Sequence, residues 1–144
     1  MTSDDPLHID QQLCFALYST SLAMTKAYKP LLEAVQLTYP QYLMMLVLWE
    51  SDSLSLKELA QRMYQDSGAL VPVLKRLEAE GYVTKRRSPS DERNLSIELT
   101  DKGRALRQKA MEINGSIRAV CSMDDEQMLD LRHKLAALRS RLAA

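Results

Sequence analysis

The sequence predicts a mainly α-helical chain that carries one small β-hairpin. Three observations lead there. Apolar residues recur at three-to-four spacing through most of the 144 residues, the signature of helices with one buried stripe. Thr38, Ser55, Asp66 and Thr100 each stand where a helix-capping side chain is wanted, just ahead of such a stripe. Between residues 82 and 99 the pattern changes to β-rich "YVTKRR" and "LSIEL", separated by the polar "SPSDERN".

The length suits one domain, residues 1–144, able to bury roughly two thirds of its unfolded surface. Lys plus Arg and Asp plus Glu both number 19, so any basic surface has to be local. No apolar run approaches the roughly 18 residues that a membrane span needs, so no membrane partner is expected. The opening "MTSDDPLHID" is acidic and does not read as a signal peptide, which makes the cytoplasm the expected location. His8 and His133 are far apart in the chain, so no metal site is expected. Neither a Gly-rich phosphate loop nor a nucleophile–base pair is visible, so neither a cofactor nor an enzyme is expected.

Residues 8–27 form the first expected helix, with Ile9, Leu13, Ala16, Leu17, Met24 and Ala27 near one stripe and Pro30 kinking or ending it. "LTYPQYLMMLVLW" starts the second, with a Thr38–Gln41 capping box and Pro40 in the first turn. It is apolar nearly all round and should be central, and Trp49 reads as core. A Ser55–Glu58 capping box opens the third, whose inner face is Leu56, Leu59, Ala60 and Met63. The fourth runs from an Asp66 cap to a stop at Gly81, with an irregular first turn because Pro72 leaves the Gly68 carbonyl unpaired. After the hairpin, Thr100 caps a helix over roughly 101–119. A last helix over about 124–143 carries Met128, Leu131, Leu135, Leu138 and Leu142, a narrow seam of the coiled-coil kind.

Two short capped helices joined by a tight turn and followed by a hairpin make a winged helix-turn-helix, here over approximately residues 38–100. Ser67, Lys75 and Arg76 lie on its second helix; Lys85, Arg86, Arg87, Asp91 and Arg93 lie on the wing. Lys75 alone fits a solvated face equally well. The whole set fits a major groove with the wing in the adjacent minor groove, which attracts arginine when narrow. Double-stranded DNA is therefore the expected partner. The terminal seam implies a homodimer, with residues 8–35 and 101–144 as dimerisation helices. Two recognition helices about 34–36 Å apart would match a pseudo-palindromic operator.

"EGYVTKRRSPSDERNLSIELTDKG" resembles the wing region of the MarR family of bacterial repressors, and the likeness covers nearly the whole chain. "LCFALYS", "MTKAYKPLL" and "LTYPQYLMMLVLWE" are similar to its organic-hydroperoxide-sensing branch, the OhrR regulators. The resemblance implies that Cys14 is the peroxide-reactive residue, that Tyr28 and Tyr39 hydrogen-bond its sulfur, and that Tyr18 is nearby. It implies that Arg93 enters the minor groove with Asp91 as its brace. A late cysteine, Cys121, resembles the two-cysteine subtype, in which the resolving thiol comes from the other subunit. Organic hydroperoxides would then be the reactive inducers. The chemistry is compatible: a thiolate attacks a peroxide oxygen to give a sulfenic acid, which a second thiol converts to a disulfide. Two alternatives stay open. One is a repressor of the same family induced by a small phenolic or apolar ligand, with Cys14 incidental. The other is a thiol peroxidase that turns over with an external reductant.

Overall fold

The computed structural model describes residues 4–88 and 91–143, with side chains for all of these except residues 88 and 91–94. A 3-10 turn at Ile9–Gln11 leads into α1, Leu13–Glu33. The helix expected from residue 8 therefore starts later. His8 is the reason: its ring accepts the Asp10 N–H and caps the separate turn. Pro30 does not end α1, which continues to Glu33. The exposed Pro30 stands in the last stretch, and Leu31 and Leu32 anchor the final turn against the core.

Helix α2, Tyr39–Glu50, opens with the reciprocal Thr38–Gln41 capping box. It is central as its composition requires: Tyr42, Met44, Met45 and Leu48 are buried. A two-residue strand β1, Leu54–Ser55, follows and was not expected. Two residues carry no periodicity, so nothing local could mark them. Helix α3, Leu56–Met63, has the Ser55–Glu58 capping box and buries Leu59 and Ala60.

Helix α4, Ser67–Ala79, begins after Asp66, whose backbone is extended as a cap should be but whose side chain makes no capping bond. The helix runs unbroken through Pro72, and its first turn is tightened, Ala69 N–H donating to the Asp66 carbonyl at 3.0 Å. Gly81, at φ +81°, ends it: Gly81 N–H bonds Glu78 C=O and Tyr82 N–H bonds Leu77 C=O, the two bonds that satisfy terminal carbonyls around a left-handed residue.

Strands β2, Val83–Ser88, and β3, Asp91–Leu99, form the hairpin. Residues 91–94, expected in the loop, belong to β3, and the register shifts between Arg87 and Ser88. A bulge lets the polar residues extend the strand without regular pairing. Strand β1 pairs antiparallel with β3, so the order is β1-β3-β2.

The helix expected at 101–119 is split into α5, Asp101–Ala105, and α6, Arg107–Cys121, by one residue, Leu106, which turns its side chain into the core. Thr100 caps α5 as expected, accepting from Gly103 N–H at 3.1 Å. Helix α7, Asp125–Leu142, opens with an Asp124–Gln127 capping box and buries no residue. No helix of the described residues is long and apolar enough to cross a membrane.

Trp49 is only partly buried and also serves as a donor, its indole N–H bonding the Gly103 carbonyl at 2.9 Å. Asp52 accepts from Leu99 N–H at 2.9 Å and pairs with Arg104 at 3.5 Å. These contacts clamp the base of the wing to the start of the α5–α6 arm.

Candidate DNA interface and thiol site

The helix-turn-helix consists of α3, a turn at residues 64–66, and α4. Buried Leu70, Leu74 and Leu77 fix which side of α4 faces inward. The outer side carries Lys75 and Arg76, both exposed, with Ser67 half-buried at the N-terminal end. It also carries Gly68, Ala69 and Pro72, which have no charge to mark them in the sequence. A Cβ on Gly68 would meet nothing within 4 Å, so this stretch of the surface is open. Small residues there let a neighbouring surface approach the backbone closely.

Among the described residues, the wing cations Lys85, Arg86 and Arg87 do not share one face. Side chains alternate along a strand, so Lys85 and Arg87 share one face of β2 and Arg86 takes the other. Lys85 leans on Glu78 of α4 at 3.7 Å, and Arg86 on Glu98 of β3 at 3.7 Å. Exposed pairs of this kind contribute little energy, yet they orient the cations. Arg87 is exposed and has no ion pair among the described residues. The side chains of Asp91 and Arg93 lie outside the described residues, so the expected minor-groove contact has no geometry here.

Cys14 is the second residue of α1 and is exposed. Its helix has no side-chain cap, so unpaired backbone N–H groups of the first turn are directed toward that end. Tyr18, one turn on, is exposed as well. Tyr28 lies fourteen residues further along α1, about 21 Å at roughly 1.5 Å per residue. Within one chain Cys14 and Tyr28 therefore cannot touch.

Tyr28 belongs to an aromatic cluster at the far end. Its ring stacks on Tyr39 at 4.9 Å between centroids and meets Tyr42 at 5.5 Å. Tyr42 was missed because its position in an apolar helix reads as ordinary core. Burial, then the neighbouring phenols Tyr42 and Tyr39, then Cys121, push the Tyr28 hydroxyl up to about 12. Burial raises Tyr39 and Tyr42 too. All three phenols are neutral donors near pH 7. Cys121, the last residue of α6, is half-buried and lies near Tyr28. A cleft beside the cluster is lined by Tyr28, Tyr42, Leu46, Trp49 and Met111 on its apolar part and by Glu50, Arg107 and Asn114 on its polar part. The structure thus brings Tyr28, Tyr39 and Cys121 together and leaves Cys14 and Tyr18 at the opposite end of α1. Among the described residues no group of three or more His, Cys, Asp or Glu could hold a metal ion.

This architecture has known counterparts. The family model for the transcriptional regulator SarA/Rot matches residues 26–110. The organic hydroperoxide resistance transcriptional regulator of Bacillus subtilis is 44% identical over 138 residues, covering 96% of this chain and 94% of that one. AbfR of Staphylococcus epidermidis, in its reduced form bound to DNA, superposes with a TM-score of 0.77 at 30% identity, covering 94% of this chain and 95% of that one. The disulfide form of AbfR superposes less well, with a TM-score of 0.63 at 32% identity over 94% of this chain and 90% of that one. By its winged helix-turn-helix and these likenesses, the chain belongs to the MarR-type transcriptional regulators, in the organic hydroperoxide resistance branch, and is a DNA-binding regulator rather than an enzyme.

Proposed function

We propose that this regulator represses transcription as a homodimer on a pseudo-palindromic operator and releases it when an organic hydroperoxide oxidises Cys14. The observation that carries the reading is the separation along α1. Cys14 sits at one end, and Tyr28, Tyr39, Tyr42 and Cys121 gather at the other. Two α1 helices packed antiparallel about a two-fold axis near Ser21 would set position 14 of one protomer beside position 28 of its partner. Leu13, Leu17 and Leu22, exposed in the single chain, are apolar surface for such packing. Each sensing site is then shared: the reactive thiol from one subunit, phenol donors and second thiol from the other.

The chemistry balances. The Cys14 thiolate attacks one peroxide oxygen, the O–O bond breaks, and the other oxygen leaves as the alcohol after taking a proton. Cys14 becomes a sulfenic acid. The thiol of Cys121 of the partner subunit attacks that sulfur, the S–S bond forms, and water leaves. Phenols held neutral by burial donate to a thiolate better than to a thiol. Tyr28, Tyr42, Leu46, Trp49 and Met111 give the cleft an apolar part that suits an organic substituent, beside the polar Glu50, Arg107 and Asn114. The Cα atoms must come within about 7 Å for the disulfide to form. The poorer fit to the disulfide form of AbfR than to its reduced, DNA-bound form supports a change of shape on oxidation. Moving the population from 1:99 to 99:1 takes about 5.5 kcal/mol of differential stabilisation.

The test is operator binding before and after one equivalent of cumene hydroperoxide or of hydrogen peroxide. The wild type should be released, faster by the organic peroxide, and should run as a cross-linked dimer on a non-reducing gel. Cys121→Ser should lose the cross-link, and Cys14→Ser should bind DNA and ignore peroxide. Release of Cys14→Ser by hydroperoxide would overturn the reading. Its release by a small phenol instead would make the cleft a ligand site and Cys14 incidental.

A further inference from the structure

We infer that Arg139 and Tyr64 form a strut by which the C-terminal helix sets the position of the recognition helix α4. The inference rests on the reading of this chain as a dimeric operator-binding regulator. Three observations meet at this contact. The Arg139 guanidinium lies over the Tyr64 ring, 4.0 Å from its centroid, a cation–π contact between α7 and the turn of the helix-turn-helix. Tyr64 closes α3 in a left-handed conformation, φ 55° and ψ 39°, which strains a bulky side chain and which glycine adopts freely. Its ring is 65% exposed, so core packing does not compensate that strain.

The place of the contact gives it a consequence. Tyr64 is three residues ahead of Ser67, the first residue of α4, and α4 has no side-chain cap of its own. The turn therefore decides where the recognition helix begins. At the other side of the contact, Arg139 lies next to Leu138 and one turn before Leu142, at the end of the seam assigned to the dimer partner. Helix α7 buries no residue in its own chain. A contact between it and the turn is thus a direct mechanical route from dimer geometry to the spacing of the two recognition helices. Arg139 and Tyr64 act as positioning residues and need not touch DNA.

The test uses the full-length protein and the operator duplex that the wild type selects from a random-sequence library. Arg139→Gln and Tyr64→Gly should each weaken operator binding about fivefold, and the double variant should be no weaker than either single, as for two partners of one contact. Both should remain dimers in sedimentation. Tyr64→Gly should keep or raise the melting temperature while losing affinity, a split that a merely structural tyrosine would not give. Tyr64→Phe keeps the ring and should bind normally. Both single variants should discriminate less against an operator with one base pair inserted between its half-sites. Additive losses, unchanged affinity in either single variant, or dissociation of the Arg139→Gln dimer would overturn the strut. So would a fall of about one in the salt slope for Arg139→Gln, because that marks a lost phosphate contact. Failure of the wild type to select any duplex, or to sediment as a dimer, would instead overturn the underlying functional reading.

Discussion

Leu48, Leu59, Leu70 and Leu77 of the winged-helix lobe are sealed from water within the chain, whereas Leu13 and Leu22 of α1 and Leu131, Leu135 and Leu142 of α7 stay open. The composition of the two regions is similar in kind; what differs is how the apolar residues are closed off. In the lobe, helices α2, α3 and α4 and the sheet surround one another. The terminal helices have one apolar side each and no third element to cover it. An exposed apolar stripe of this length marks an interaction surface. The lobe is built to hold its shape, and under the proposed function the arms meet a second copy.

The contrast can be broken first in the lobe. Leu48→Ala removes a fully buried side chain from α2 and should cost about 2–5 kcal/mol in urea denaturation, because the surrounding core refills the space only in part. A cost under about 1 kcal/mol would mean that the lobe is loosely packed. In the arms the corresponding change is Leu135→Glu, which leaves each protomer folded but sets two like charges against each other across a symmetric seam. The dimer dissociation constant should rise by about two orders of magnitude, read by sedimentation. An unchanged dimer would move the interface away from α7.

The junction between the regions is sharpened by Gly103. Alanine in a helix normally gains about 1 kcal/mol over glycine. Here a Cβ would stand 2.1 Å from the Tyr82 carbonyl oxygen, a backbone atom that cannot swing aside. Gly103→Ala should therefore lose about 1–3 kcal/mol, and a gain would show that α5 moves freely on the sheet. Trp49→Phe, which deletes the bond to the Gly103 carbonyl, should cost about 1 kcal/mol. The smallest effect concerns pH. The Tyr28 hydroxyl is raised from 10.0 to about 12, so folding favours the protonated form. That contribution is complete below pH 10 and fades as pH rises toward 12. Tyr28→Phe should flatten the fall in melting temperature over that window, and an equal fall would mean that Tyr28 titrates normally. Tyr39 and Tyr42 shift in the same direction, so some fall should persist.

Much of this molecule was decided within a few residues of chain. The Thr38–Gln41 and Ser55–Glu58 capping boxes and the Gly81 stop follow from groups bonding to their immediate neighbours, and all were legible. The family, too, was legible, because the wing sequence and the opening helix are continuous motifs. Other features needed the fold. Strand β1 exists because β3 passes beside it, and two residues show no period of their own. The passage of α1 through Pro30 rests on Leu31 and Leu32 meeting the core. The wing cations divide by the alternation of the strand itself, but the partners that orient Lys85 and Arg86, Glu78 and Glu98, come from different elements. Above all, the sequence named Cys14, Tyr28, Tyr39 and Cys121 without saying that the last three gather at one end of α1 and the first at the other. The distance from Cys14 to Tyr28 follows from the rise of one helix, but the arrival of Tyr39 and Cys121 beside Tyr28 depends on how α2 and α6 pack on α1, and contacts between residues distant in sequence are decided by the tertiary structure.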